Sequence, residues 1–231
     1  MKLAIMQPYF FPYIGYFQLI NVVDKFVVYD NIQYTKKGWI NRNRFLRNKK
    51  DTIFTIPIKK DSDFLNVTER SISDVYNRDK LIFQLKMAYQ KAPFFKENIT
   101  IIEEIIQYKS SNLFEYIHYS ILKINNFLDI DTEVITSSRM DINHDLKSQD
   151  KVIAICKSLD TSVYINPIGG VNLYNKIDFL NHNINLLFLE PKEIQYNQFN
   201  NNFISNLSII DVMMFNNKEH IKELLHKFVL L

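Results

Sequence analysis

The sequence predicts an α/β protein with a mostly parallel sheet, helices on both faces and an inserted run of helices. Two observations carry this. Short apolar runs of strand length alternate with segments of helical period in both halves of the chain. Between Arg78 and about Phe127 the pattern is helical throughout, divided by Pro93.

The elements follow in order. Leu3–Met6 is an apolar run that reads as the first strand, followed by an aromatic turn and a helix over Gly15–Val23. "KFVVYD", Lys25–Asp30, reads as a buried strand ending in a carboxylate and completes a β-α-β unit. "TIFTIPI", Thr52–Ile58, is a third strand candidate behind a polar, basic segment. Leu81, Leu85 and Ala88 fall at helical spacing, and the helical insertion is placed at about 76–130. Alternation resumes with Glu133–Thr136, a helix over Asp150–Leu159, Ser162–Ile165, a helix near Leu173–Asn181, and Ile184–Glu190. A helical segment closes the chain over about 206–231, and residues 1–231 read as a single α/β domain.

In open parallel sheets, ligands lie at the carboxyl ends of the strands. That rule selects four candidate rims: Gln7–Gly15, Asp30–Arg47, Ser137–Asp145 and Asn166–Gly170. The chain has only four glycines, Gly15, Gly38, Gly169 and Gly170, and all fall in these rims, where backbone bends sharply or approaches a ligand.

Composition narrows the function classes. With 28 basic and 25 acidic residues the formal charge is +3, far from the basic excess of sequence-independent nucleic-acid binders, so no nucleic-acid partner is expected. The single Cys156 excludes an intrachain disulfide framework and a cysteine metal cluster. The five histidines show no ligand-like pairing, and neither a metal nor a cofactor is expected. Pro8 and Pro12 interrupt the apolar N-terminal run, and no stretch of about 18 apolar residues occurs, so a soluble cytoplasmic protein without membrane insertion is expected.

The stretch "QPYFFPYIGYFQLI", Gln7–Ile20, holds six aromatic residues, two prolines and a glycine where a plain turn would use Gly, Asn, Asp or Ser. Tyr9, Tyr13, Gly15 and Tyr16 are site candidates here, together with Gln7; a core aromatic cluster around a tight turn is the structural alternative. "DNIQYTKKGWINRNRFLRNKK", Asp30–Lys50, carries seven Lys or Arg from Lys36 onward with no acid among them, until Lys50, interleaved with Trp39 and Phe45. Arg42 and Arg44, two apart, share one face if extended and suit a diphosphate, while Trp39 suits stacking on a ring. A solvated basic loop is the alternative.

"YINPIGGVNLY" passes from a strand through Asn166 and Gly169-Gly170 into a helix, where backbone amides face an anion and Asn166 reads a sugar hydroxyl or base edge. In the segment Gln195–Asn217, Ser208 to Phe215 reads as a helix start, with Asp211 favouring its N-terminal end rather than performing catalysis. Cys156 lies on an apolar helical stripe as an inert buried thiol, and His144 reads as a solvent-exposed residue.

A strand, a loop, a glycine motif opening a helix and a strand ending in Asp30 resemble a Rossmann-like domain of the nucleotidylyl-transferase type. That superfamily's "[TH]-x-G-H" motif corresponds to Tyr13-Ile14-Gly15-Tyr16, with the glycine present and the histidine missing. A tyrosine cannot supply an imidazolium's charge to a departing pyrophosphate, which counts against adenylylation.

"QPYFFPYIGYFQLI", "YDNIQYTKKGWINRNRF", "AYQKAPFF", "IAICKSLDTSVYINPIGG" and "YNQFNNNFISNLSIIDVMMFN", in that order, resemble the WbqC-like family over nearly the whole chain. The family's Gln-Pro and Pro-Tyr-x-Gly elements correspond to Gln7, Pro8, Pro12, Tyr13 and Gly15. Its Asp-x-x-Gln-Tyr and Arg-x-Arg elements correspond to Asp30, Gln33, Tyr34, Arg42 and Arg44, and its closing Ser-Ile-Ile-Asp to Ser208–Asp211. Lys151 stands where relatives often carry an arginine. The resemblance implies work on a nucleotide-linked sugar in bacterial O-antigen or surface-polysaccharide biosynthesis.

The expected function is group transfer, such as acyl or aminoacyl transfer from an unknown donor to an amino- or deoxy-sugar nucleotide. A non-catalytic nucleotide-sugar-binding or scaffold protein is the second reading. ATP-dependent activation of an acid, through "TSSR" at Thr136–Arg139, is the third. Asp30 is the catalytic candidate, orienting or deprotonating the attacking group, and Gln198 joins the substrate-binding set. A homodimer is compatible with all three.

Overall fold

The computed structural model describes residues 1–199 and 202–231. Strand β1 (Lys2–Met6) leads into α1 (Ile14–Asn21) and β2 (Lys25–Val28). A hairpin follows, β3 (Arg42–Arg47) and β4 (Lys50–Thr55), then three helices, α2 (Arg78–Tyr89), α3 (Phe95–Gln107) and α4 (Leu113–Phe127). The second half runs β5 (Glu133–Thr136), α5 (Ser148–Ser158), β6 (Val163–Pro167), α6 (Lys176–Leu180), β7 (Asn185–Pro191), α7 (Ile209–Phe215), α8 (Lys218–Leu224) and β8 (Phe228–Leu230).

Six strands form one sheet in the order β5-β2-β1-β6-β7-β8, parallel except for β8. The chain builds outward from β1 in one direction through β2 and β5, then returns to lay β6, β7 and β8 on its other side. This is a doubly wound, Rossmann-like order with its reversal between β1 and β6. Period-two alternation sends Leu3, Ile5, Val27 and Tyr164 to one face of the sheet and Ala4, Phe26, Val28 and Ile165 to the other. The first set packs with Val152, Ile155 and Cys156 of α5 and Phe179 of α6. The second joins a larger core that takes in α1, the helices α2–α4, α7 and α8. Burial on both sides explains why the strands read as continuous apolar runs.

Three local readings are corrected. The strand candidate at 52–58 does not enter the main sheet: β4 pairs antiparallel with β3 in a separate two-stranded sheet, from Arg42 opposite Thr55 to Arg47 opposite Lys50. Asn48 and Lys49 make the hairpin turn with positive φ of 51° and 62°, a turn chemistry hidden by the lysine-rich context. After β6 the Gly169-Gly170 run opens a short 3-10 turn, Ile168–Leu173, and α6 begins only at Lys176. The chain ends in a strand rather than a helix, because Phe228–Leu230 completes the exposed edge of β7. Among the described residues no helix is long and apolar enough to cross a membrane.

Candidate functional site

The loop after β1 is stapled from two sides. Phe11 holds a φ of 43°, an uncommon conformation for a bulky residue. Its carbonyl accepts from Asn43 Nδ2 (2.8 Å) and Ser208 Oγ (2.8 Å). The neighbouring Phe10 N–H donates to Ile40 O (3.0 Å), and Ile209 N–H donates to Pro12 O (2.8 Å). Ser208 N–H in turn donates to Arg44 O (2.9 Å), so this loop, the hairpin and the start of α7 hold one another in register. The buried rings of Phe10, Phe11 and Phe17 form the underside. Those prolines and aromatics therefore build a rigid platform whose upper side is free for Tyr9 and Tyr13.

On that platform, at the reversal of strand order, lies a cavity of about 450 Å³. Tyr9, Pro12 and Tyr13 contribute from the loop after β1, and Trp39, Asn43 and Arg44 from the hairpin. Ile168 enters after β6, Glu190 and Pro191 close β7, and Asn206 completes the lining. Trp39 is 41% exposed, a large flat ring facing solvent. The guanidinium carbons of Arg42 and Arg44 lie 5.5 and 5.6 Å from its centroid, so the plate is held by two cations on one strand face. Arg44 is the cation lining the cavity; it pairs with Asp51 (3.0 Å) and donates to Asn206 O (3.2 Å). Glu190 is the lining carboxylate and is exposed. Burial raises the pKa of Tyr9, assisted by Tyr13, and that of Tyr13, so both present neutral hydroxyls.

A second cavity of about 350 Å³ shares Tyr13, Pro191 and Asn206 with the first. Behind it stands a buried network. Asp211 accepts from Tyr89 Oη (2.7 Å), Tyr196 Oη (2.7 Å) and Gln198 Nε2 (2.7 Å). Burial pushes the Asp211 carboxyl up while these donors oppose it, and the tyrosine hydroxyls are pushed well up by their own burial. The N-terminal cap of α7 is Ser208, whose Oγ accepts from Ile210 N–H (3.3 Å), so Asp211, in the first turn of α7, ties Tyr196 and Gln198 to α2 and α7 while Ser208 caps the helix.

The other predicted residues are placed as follows. Tyr16 is buried, its hydroxyl donating to Gln7 O (3.0 Å) and its ring 5.8 Å from that of Tyr9, beneath the cavity. Gly15 and Gly170 are notches: a Cβ there would lie 2.3 Å from Tyr13 Cε2 and 2.1 Å from Asn166 Nδ2, whereas Gly169 has open space around it. Asn166 is turned inward, accepting from Tyr164 Oη (3.0 Å) and donating to Pro167 O (3.0 Å). Arg42 donates from Nε to Gly38 O (2.9 Å) and from Nη2 to Lys37 O, pinning the turn before β3. Gln33 donates to Asp63 O (2.9 Å), and Tyr34 is buried, donating to Asn41 Oδ1 (2.9 Å) under the guanidinium of Arg70. Gln198 clasps Ile204 through both its N–H and its carbonyl.

Asp30 does not line the cavity. It is fully buried, and its Oδ1 accepts from Ser137 Oγ (2.7 Å) and Ser138 N–H (2.9 Å). The "TSSR" run thus closes over the Asp30 side chain, joining the ends of β2 and β5. The cavity instead contains Glu190, Asn206 and Asn43, which sequence reasoning did not select. Glu190 closes the apolar run "INLLFLE" as Asp30 closes "KFVVYD", the signal that would have found it. Asn206 belongs to an aperiodic loop and left no such trace. Among the described residues no three or more His, Cys, Asp or Glu side chains gather as a metal ion would require.

A doubly wound α/β sheet with an aromatic-lined cavity at its reversal defines the class. Residues 7–223 match the WbqC-like protein family, and the chain belongs to that family. Over 97 residues it is 35% identical to the uncharacterized protein Rv1507c of Mycobacterium tuberculosis, a segment covering 42% of this chain and 42% of that protein. The chain therefore matches less than half the length of this relative. No solved structure matches it.

Proposed function

We propose that the protein is a nucleotide-sugar enzyme of bacterial surface-polysaccharide biosynthesis, transferring an acyl or aminoacyl group to a sugar amine. The observation that carries this reading is the combination, in one cavity of about 450 Å³ at the sheet reversal, of the Trp39 plate, the Arg44 guanidinium, two neutral tyrosines and one carboxylate. That volume lies within the range of small-molecule sites, roughly 300–1,000 Å³. The base stacks on Trp39. The diphosphate takes Arg44 in exchange for Asp51, two parallel N–H···O bonds being available to a phosphate as to a carboxylate. Tyr9 and Tyr13 donate to sugar or phosphate oxygens. Glu190, rather than Asp30, accepts the proton that a neutral sugar amine loses as it attacks the donor carbonyl; the amide N–C bond forms, the bond from the acyl carbon to the donor's leaving group breaks, and the leaving group departs carrying that proton.

A second reading, a non-catalytic carrier of the same nucleotide sugar, is favoured by the closure of Ser137 and Ser138 over Asp30 away from the cavity. The test is mass spectrometry of UDP-, dTDP- and GDP-linked amino sugars incubated with the protein and a set of acyl and aminoacyl donors. A mass increment on the sugar, abolished by Glu190→Gln, supports the enzyme. Binding without any increment supports the carrier.

A further inference from the structure

The second cavity has a chemistry unlike the first. One part of its wall is apolar, formed by Ile14, Ile194, Phe203, Leu207 and Val212, and Ser205 and Asn206 add neutral polar groups. Its charges come from two adjacent residues of opposite sign, Lys192 and Glu193, both exposed. Lys192 enters none of the ion pairs among the described residues. One oxygen of Glu193 accepts from Gln195 Nε2 (2.5 Å), leaving the other for a ligand. The Tyr196 hydroxyl on the wall is committed to Asp211, so the charges on the lining are those of Lys192 and Glu193, beside the neutral Tyr13, Ser205 and Asn206.

Both sides of the hollow are fixed. Lys192 N–H donates to Lys227 O (2.9 Å), and Gln198 clasps Ile204 next to Phe203. The Tyr13 ring, lying in the Gly15 notch, borders both cavities. An apolar hollow carrying one cation and one anion on neighbouring residues complements a ligand with one carboxylate, one ammonium and an apolar stem. A ligand with a single charge leaves one partner unmatched.

We propose that this second cavity binds an α-amino acid with an apolar side chain, its carboxylate on Lys192 and its ammonium on Glu193. That a nucleotide sugar is its neighbour rests on the reading of the first cavity; the binding of the amino acid does not. The amino acid and the sugar then meet across Tyr13, Pro191 and Asn206.

Calorimetric titration of the full chain tests this with L-leucine, 4-methylpentanoate, which lacks the amine, and 3-methylbutylamine, which lacks the carboxylate. L-Leucine is expected to bind several-fold more tightly than either analogue, since each ion pair to a solvent-exposed side chain contributes up to about five-fold in affinity. Lys192→Glu is expected to lose L-leucine while keeping its far-UV spectrum and melting point. Absence of L-leucine binding at millimolar concentration, equal binding of the three probes, or undiminished binding by Lys192→Glu overturns the proposal. L-Leucine binding in a protein that ignores every nucleotide sugar supports this site and removes the nucleotide-sugar reading of the first.

Discussion

The ring of Tyr13 lies where the side chain of any other residue at position 15 would begin: a Cβ on Gly15 would stand 2.3 Å from Tyr13 Cε2 and 2.7 Å from its hydroxyl. The glycine of the Pro-Tyr-x-Gly element therefore serves to seat the tyrosine between two cavities, and no positive φ requires it. Gly15→Ala is expected to displace the ring, costing about 1–3 kcal/mol of stability through overpacking. The Tyr13→Ala/Gly15→Ala double variant should recover most of that loss. Denaturant unfolding of the two single variants and the double variant measures the coupling, and additive losses would separate the two residues.

Asp211 is the acceptor for three buried donors. Asp211→Ala leaves two tyrosine hydroxyls and the Gln198 amide without it, at about 1–3 kcal/mol for each group left unsatisfied. A total loss of at least about 3 kcal/mol is expected by urea unfolding. Limited proteolysis should then cut first near Tyr196–Gln198, since both side chains are held by the same carboxylate.

His118 stacks on Phe114, with ring centroids 5.3 Å apart, and its Nε2 is buried without a hydrogen-bond partner. Burial depresses its pKa below 6.5, the Arg139 charge adds to this and Asp30 opposes it. The unfolded chain therefore takes up a proton near pH 6.5 that the folded chain takes up only at lower pH. Stability from this group is present above about pH 6.5 and is lost as pH falls through that value. Relative to wild type, His118→Gln should flatten the fall in melting temperature between about pH 6.5 and 5.

Cys156 is fully buried against the sheet, and burial pushes its thiol up to about 12. Thiol reagents act on the thiolate, so labelling at pH 8 is expected to be negligible in the folded protein and complete after unfolding. Rapid labelling of the native state would contradict the packing of α5.

The sheet was legible because strands buried on both faces must be continuously apolar, as Lys25–Val28 and Asn185–Pro191 largely are. The hairpin was less so: its six-residue strands are rich in Lys, Arg and Asn, and buried Phe45 and Phe54 face polar partners, Thr52 and Asn43, so no apolar alternation marks the register. The platform of Gln7–Gly15 stood out by composition, and the structure gives its physical reason in the strained Phe11 and its two carbonyl donors. Asp30 and Glu190 carry the same sequence signal, and only three-dimensional placement separates the closed carboxylate from the open one. Asn166 and Gln198 read as substrate-binding groups, yet each is buried and hydrogen-bonded within the protein.

On the proposed reading, the cavity at the sheet reversal holds a nucleotide through Trp39. Isothermal titration of UDP-, dTDP- and GDP-sugars against wild type, Trp39→Ala and Arg44→Gln tests it most directly. Stacking of one base on an aromatic ring is worth about 1–3 kcal/mol, so Trp39→Ala should weaken a bound nucleotide sugar roughly ten-fold or more. Trp39 is half-exposed, and the variant should keep its melting temperature. Failure of every nucleotide sugar to bind the folded wild type, or undiminished binding by Trp39→Ala, would contradict the account.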